Sequence, residues 1–257
     1  MFEISEMYNF KKQMEKSLLG KTIIEGTLGN SEHKFVWYNR EPEEFSSLIK
    51  NRKIESLRVK GRWLLLDLEK DYVLVFGECG GKIILHNPDE KLPAKYHLYL
   101  KFSNESFLTA TTQMWGAYEL YRKGEELERD YIKDMKPTPM DAEFTFSYFN
   151  DLIDLLNLEG KRSIKSLLTQ EQLIPGLGNA VAQDIMFKAG LHPRYSLKDM
   201  PEVHRHRLYD AIIFVVNEII RKGGRNDEYD LYGKQGGYHR LMDKNAAGNP
   251  CPVCNTE

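Results

Sequence analysis

The sequence predicts an α+β multidomain protein: a leading helix with a β-sandwich or barrel, then a helical domain, then a polar tail. Three observations predict it. Short β-rich runs crowd residues 22–121, segments with a 3.6-residue apolar period fill residues 146–222, and a proline-bearing stretch of low apolar content, 134–143, stands between them.

The elements follow in order. Ile4, Met7, Tyr8, Phe10, Met14 and Leu18 fall at helical spacing and Gly20 ends the run, which gives an N-terminal helix. From Thr22 the pattern turns to strands, TIIEGTL, HKFVWY, SLRVKGRWLLLDL, YVLVF, KIIL, YHLYLKF, SFLTAT and GAYELY, broken by Gly, Asn, Asp and Pro turns. DMKPTPMDAE reads as a linker. Beyond it FSYFNDLIDLLN, SIKSLLTQEQ, NAVAQDIMFKAG and HRHRLYDAIIFVVNEIIRK read as helices, the last stopping at Gly223 and Gly224. Residues 225–257 are polar and glycine-rich, and need a metal or a neighbour to be ordered. The expected domains are 1–135, 143–225 and a tail, 226–257.

Composition narrows the function classes. In 257 residues, 41% hydrophobic and 29% charged, there is enough apolar material for two modest cores, and a disordered reading is excluded. No run is apolar enough to span a bilayer, and MFEISEMYNF resembles neither a secretory signal nor a transit peptide, so an intracellular, cytoplasmic location without a membrane partner is expected. The formal net charge of −2 offers no global positive field, so any nucleic-acid contact must be a local patch. Of three cysteines, Cys79 is expected to be a reduced, small apolar residue. Cys251 and Cys254 form a CPVC pair of metal-ligand type.

The most informative stretch is LIPGLGNAVAQDIMFKAGLHP, residues 173–193. Pro175 and Gly176 force a tight turn between two helices, which would leave the backbone N–H groups of Gly176, Gly178 and Asn179 at a helix N-terminus, an arrangement suited to a phosphate. The Asn179 side chain could add a donor and Lys165 a charge. A P-G-x-G turn alone is equally an ordinary connection between helices.

The longer string resembles the helix-two-turns-helix of the formamidopyrimidine-DNA glycosylase and endonuclease VIII family, down to the closing AGLHP. VKGRWLLLDL is similar to that family's strand carrying R-G-K, KPTPMDAEF to its interdomain linker, IIRKGGRN to the segment after its last long helix, and GNPCPVC to the first half of its zinc hairpin. The resemblance implies an N-terminal β-sandwich with a leading helix, a helix-two-turns-helix domain and a partial zinc-ribbon tail. It also implies a monomer that binds double-stranded DNA containing a lesion or abasic site and acts as a glycosylase and AP lyase in base-excision repair. Zinc is the cofactor implied, although Cys251 and Cys254 supply two of the four ligands a tetrahedral site takes. The expected remedy is a second half of the hairpin outside this sequence; completion by His239 and another residue, or a metal-free pair, are the alternatives.

By the same resemblance Glu3 and Glu6 match two family glutamates, Arg62 stands where the family has a phosphate-contacting lysine, and Arg225 joins the DNA-binding set. Glu78 and the Gln113–Trp115 segment match loops that fill the gap left by a flipped base, with Trp115 either a wedge or a core aromatic and Glu78 poorly suited to face phosphates. The family's nucleophile is an N-terminal proline, and here Phe2 takes its place. Initiator methionine is retained before so bulky a residue, so the free α-amine belongs to Met1, displaced by up to ~3.5 Å along the backbone. An α-amine suits Schiff-base chemistry because such groups titrate at about 7.7–8.0 in general. Misplacement by about 1 Å can cost ~100-fold, so the lyase chemistry does not transfer automatically. Three functions are therefore weighed: an active glycosylase using Met1 or a water activated by Glu3, a non-catalytic reader of damaged DNA, and an RNA binder using the two-turn motif alone. The β-rich half fits the last of these least.

Overall fold

The computed structural model describes residues 1–160, 162–198 and 200–256. It divides into two compact units, 1–135 with 220–237, and 136–219 with 238–257. Residues 220–237, expected at the end of the helical domain and in the tail, thus belong to the first unit.

The first unit begins with helix α1 (Ile4–Leu18), in which Ile4, Met7, Phe10, Met14 and Leu18 are buried on one face. Strands β1 (Thr22–Leu28), β2 (Val36–Trp37), β3 (Arg52–Lys60), β4 (Trp63–Leu68), β5 (Tyr72–Gly77), β6 (Gly81–His86), β7 (Leu98–Phe102), β8 (Phe107–Thr112) and β9 (Gly116–Arg122) form a sheet of order β2-β9-β5-β4-β3-β1-β7-β8-β6. Its pairings are antiparallel except for the short parallel contact of β2 with β9. Leu64, Leu66, Leu74 and Phe76 from one half share a single core with Ile23, Leu98, Leu100 and Leu108 from the other. The expected sandwich character arises in this way. β4 and β5 are buried along their whole length because their outer face carries a second cluster, with Trp63, Leu65, Val73 and Val75 meeting Ile132.

Several elements of this unit differ from the sequence expectation. HKFVWY yields only the two-residue strand β2. Residues 42–49, in which no element is expected, form helix α2 (Pro42–Ile49), with proline in its first turn and Phe45 and Ile49 buried one turn apart. Helix α3 (Asp130–Lys133) follows a 3-10 turn near the end of the unit.

The second unit contains α4 (Phe146–Glu159), α5 (Ile164–Thr169), α6 (Asn179–Ala189) and most of α7 (Glu202–Arg221). Caps set the helix starts: the Thr145 hydroxyl accepts from the Tyr148 N–H at 3.2 Å, and Ser163 and Ser166 close a reciprocal capping box on α5. Gly190 ends α6 in the left-handed conformation, φ 65°. Residues 238–242 are tied to α6 by Asp184, fully buried, whose carboxylate accepts from the Tyr238 hydroxyl (2.9 Å) and the N–H groups of Leu241 (3.0 Å) and Met242 (2.8 Å). A neighbour, α6, thus holds this part of the tail in place. Among the described residues no helix is long and apolar enough to cross a membrane.

Candidate functional site

The N-terminus of the first unit is anchored from below. Phe2 is fully buried, edge-on to Phe10 at 4.9 Å, and its N–H donates to the Cys79 carbonyl at 2.9 Å. Nitrogen 2 is therefore a committed amide. Met1 remains outside, 39% exposed, and its ammonium donates to Glu228 Oε1 at 3.1 Å. Gly80 closes in behind it, since a β-carbon there would lie 3.3 Å from Met1 Cα.

Glu3 and Glu6 open α1 and are both nearly buried. Glu6 Oε2 accepts the Glu3 N–H at 2.9 Å, one arm of a capping box. Both face Arg225. Its Nε donates to Glu6 Oε1 at 3.0 Å, its Nη2 to Glu6 Oε2 at 3.1 Å and to the Met1 carbonyl at 3.1 Å, and its Nη1 lies 3.6 Å from Glu3 Oε1. Burial alone would lower the Arg225 pKa, but Glu6, Glu3 and Glu228 together hold it well above the ordinary arginine value. Arg225, expected among the DNA contacts, is 2% exposed and ties residue 225 to the N-terminus, with three carboxylates around it.

Arg62 sits in the β3–β4 turn, and its Nη1 donates to Glu78 Oε2 at 3.1 Å and approaches Met1 Sδ at 3.6 Å. A phosphate at this position would have to share the guanidinium with Glu78. Gln113 and Trp115 lie in the turn before β9, joined to the Glu78–Gly80 loop by Gln113 N–H to Gly80 carbonyl (2.7 Å) and Gly80 N–H to Trp115 carbonyl (3.0 Å) bonds. Trp115 is no core aromatic. It is 38% exposed, stacked on Trp37 at 5.2 Å and tilted against Phe35 at 4.5 Å. Burial pushes the Cys79 thiol up to about 12, which makes it unreactive, as its apolar setting suggests.

In the second unit Lys165 is exposed on α5, and Asn179 is exposed at the first position of α6, which packs against α5. Gly178 is half-buried as the N-cap of α6. Gly176 departs from expectation. It is buried, and its N–H donates to Gln172 Oε1 at 3.0 Å while Gln172 Nε2 donates to the Leu177 carbonyl at 3.3 Å. A glutamine side chain closes the turn from within, so the amide of Gly176 is not offered outward.

Cys251 and Cys254 are free thiols on a tight turn in which the Cys251 carbonyl accepts from the Asn255 N–H at 2.8 Å. Among the described residues no third His, Cys, Asp or Glu joins them, His239 included, so the donor set does not fit a complete zinc site. A hydrogen bond from Thr256 lowers the Cys254 pKa.

Glu228 is the functional candidate that the sequence expectation lacks. It lies in a polar, glycine-rich stretch with no periodicity, and its partner Met1 is 227 positions away, so nothing local singles it out.

A helix-capped β-unit with its amino-terminus set among carboxylates, together with a unit built on a helix, two turns and a helix, defines the class of helix-two-turns-helix DNA-glycosylase folds. Models of the formamidopyrimidine-DNA glycosylase N-terminal domain and of its H2TH domain match residues 1–117 and 135–229, and the chain belongs to the formamidopyrimidine-DNA glycosylase family. It is 27% identical over 260 residues to a formamidopyrimidine-DNA glycosylase of Bacillus cereus, covering 100% of this chain and 92% of that one. It is 28% identical to one from Bacillus licheniformis at the same coverage. Among solved structures it is similar in fold to MutM (Fpg) of Thermus thermophilus, with a TM-score of 0.79, 24% identity, and coverage of 99% of this chain and 91% of that one. It is also similar to Lactococcus lactis Fpg in complex with abasic-site DNA, with a TM-score of 0.82, 23% identity, and coverage of 99% and 92%.

Proposed function

We propose that this protein binds double-stranded DNA at lesions or abasic sites and acts in base-excision repair as a DNA glycosylase with AP lyase activity, using the α-amine of Met1 in place of an N-terminal proline. One observation carries the catalytic half: Phe2 is sunk in the core beneath a partly exposed Met1 ammonium, which meets a carboxylate at 3.1 Å beside Glu3 and Glu6. The amine is thereby held at the mouth of a carboxylate cluster, the setting that attack on C1′ followed by proton transfer requires. Glu3 is the acid assigned to base release, and Glu6 positions it through the shared capping box. Family membership and the relatives named above support the choice of damaged DNA as partner. Arg62, Lys165, Gly178 and Asn179 are assigned to the phosphates, and Gln113 and Trp115 to the gap left by an extruded base.

A second reading, a non-catalytic reader of damaged DNA, draws on a specific observation: Arg225 already engages both Glu3 and Glu6. Borohydride trapping on a duplex with an abasic site separates the two. The catalytic reading expects a covalent adduct at Met1, lost when the N-terminus is blocked, and a Glu3→Gln variant that binds lesion DNA like the parent but no longer releases the base. Tight binding with no adduct and no base release would establish the reader.

A further inference from the structure

Among the described residues, three carboxylates and two cations meet at the start of α1: Glu3, Glu6 and Glu228 against the Met1 ammonium and the Arg225 guanidinium. Beside this cluster Arg62 pairs with Glu78 at 3.1 Å. A largely buried cluster with one carboxylate in excess favours taking up a proton. The three acids differ in their commitments. Glu6 holds Arg225 by two oxygens and also caps α1, and Glu3 faces the same guanidinium, their side chains only 3% and 5% exposed. Glu228 is the most open, at 15%, and touches the amine directly, with Arg225 Nη2 a longer 3.4 Å from the same oxygen.

The geometry points to Glu228 as the group that takes the proton from the Met1 ammonium and so frees the nucleophile, an assignment that rests on Met1 being the nucleophile. Bound DNA excludes water from the Met1–Glu228 pair, and a buried ion pair without water is disfavoured against the neutral amine and neutral acid. The proton crosses a hydrogen bond of 3.1 Å. The nitrogen lone pair then forms the bond to the aldehyde C1′ of the abasic sugar, and the carbonyl oxygen leaves as water after taking two protons, one from the amine and one returned by Glu228. The product is an iminium, Glu228 is again a carboxylate, and no oxidant or reductant is consumed. Burial holds the Glu228 carboxyl above its ordinary value, against the pull of the Met1 ammonium and Arg225 and with help from Glu6, which suits a group that must accept this proton.

The test is the pH profile of borohydride trapping on abasic-site duplex, run on the full chain and on Glu228→Gln. Without an acceptor the amine must lose its proton to bulk water, so the variant should trap about 100-fold more slowly near neutral pH. It should approach the parent as the pH is raised and hydroxide takes over removal of the proton. Glu228→Asp, which keeps the carboxylate, should retain the parental profile at a reduced rate, and it carries the test if Glu228→Gln does not fold. Superimposable profiles for the parent and Glu228→Gln would overturn the assignment. So would a loss at every pH with lesion binding intact, which would make Glu228 an anchor for Met1. A parent that gives no adduct, or an adduct that survives blocking of the N-terminus, would instead remove Met1 as nucleophile, and the role of Glu228 with it.

Discussion

Arg225 shows what one side chain does at this site. Its guanidinium has left water almost completely, and it compensates that cost by bonding to Glu6 through two nitrogens and to the Met1 carbonyl through one of them. The carboxylates depend on it equally. Removing the cation while leaving Glu3 and Glu6 buried would leave uncompensated charge, so Arg225→Met should destabilise the fold by about 3–5 kcal/mol. The midpoint of urea unfolding, at unchanged slope, measures this. Adding Glu6→Gln to the same chain should restore part of the loss, because the surviving negative charge is then reduced. Equal midpoints for the parent and Arg225→Met would mean that the cluster stays open to solvent. The same reasoning separates Arg225 from Arg62, whose partner Glu78 is itself a quarter exposed, and whose removal should cost far less.

At the scale of elements, the segment that delivers Arg225 and Glu228 is a closed loop. The Gly237 N–H donates to the Lys222 carbonyl at 2.9 Å, the Gly236 N–H to the Glu228 carbonyl at 3.3 Å, and Tyr229 bridges to Gln235. Gln13 of α1 holds it in place, donating to Asp230 and accepting the Leu231 N–H at 3.0 Å. The loop closes because two glycine backbones touch: a β-carbon on Gly236 would land on the Gly224 carbonyl, and Gly224 itself has φ 105°. Gly236→Ala should therefore open the loop. It is expected to lower the melting temperature and reduce trapping at Met1 together, whereas Lys244→Ala, at an exposed position of the tail, should change neither. Stability retained in Gly236→Ala would show that the loop can shift without losing its grip on α1. This loop also marks the limit of what the sequence conveys. Helices α1, α6 and α7 are readable because burial repeats along the chain at the helical period, and strands β4 and β5 because they are short, continuous apolar runs bounded by turn residues. Helix α2 is not, since eight residues with two buried positions make too short a signal among strand-like neighbours. Phe2 and Cys79 are legible as residue types, but the Glu228–Met1 and Arg225–Glu6 pairs join positions more than 200 residues apart and leave no local pattern. Gly176 is legible only as part of a turn, and the turn gives no sign that Gln172 folds back to satisfy it.

For the whole molecule, the formal charge of −2 means that DNA cannot be held by a diffuse positive field, and affinity must come from a few placed contacts. Two of the assigned contacts in the helical unit differ in kind, and that difference can be measured. Lys165 is an exposed cation, so a phosphate it meets gives up a condensed counterion, and Lys165→Ala should reduce the slope of log K against log salt by about one. Asn179 is neutral and exposed at the N-terminus of α6, where it would contribute a hydrogen bond and the helix-end dipole without displacing an ion. Asn179→Ala should therefore weaken binding to lesion and undamaged duplexes by a similar factor while leaving the slope nearly unchanged. The measurement is a salt titration of duplex binding for the parent and both variants, with the abasic site present and absent. If neither variant moves affinity, the two-turn region is not the DNA face. If Asn179→Ala weakens lesion binding alone, the residue reads the damage and not the phosphate strand, and discrimination would have to be reassigned from Trp115 and Gln113 to the helical unit.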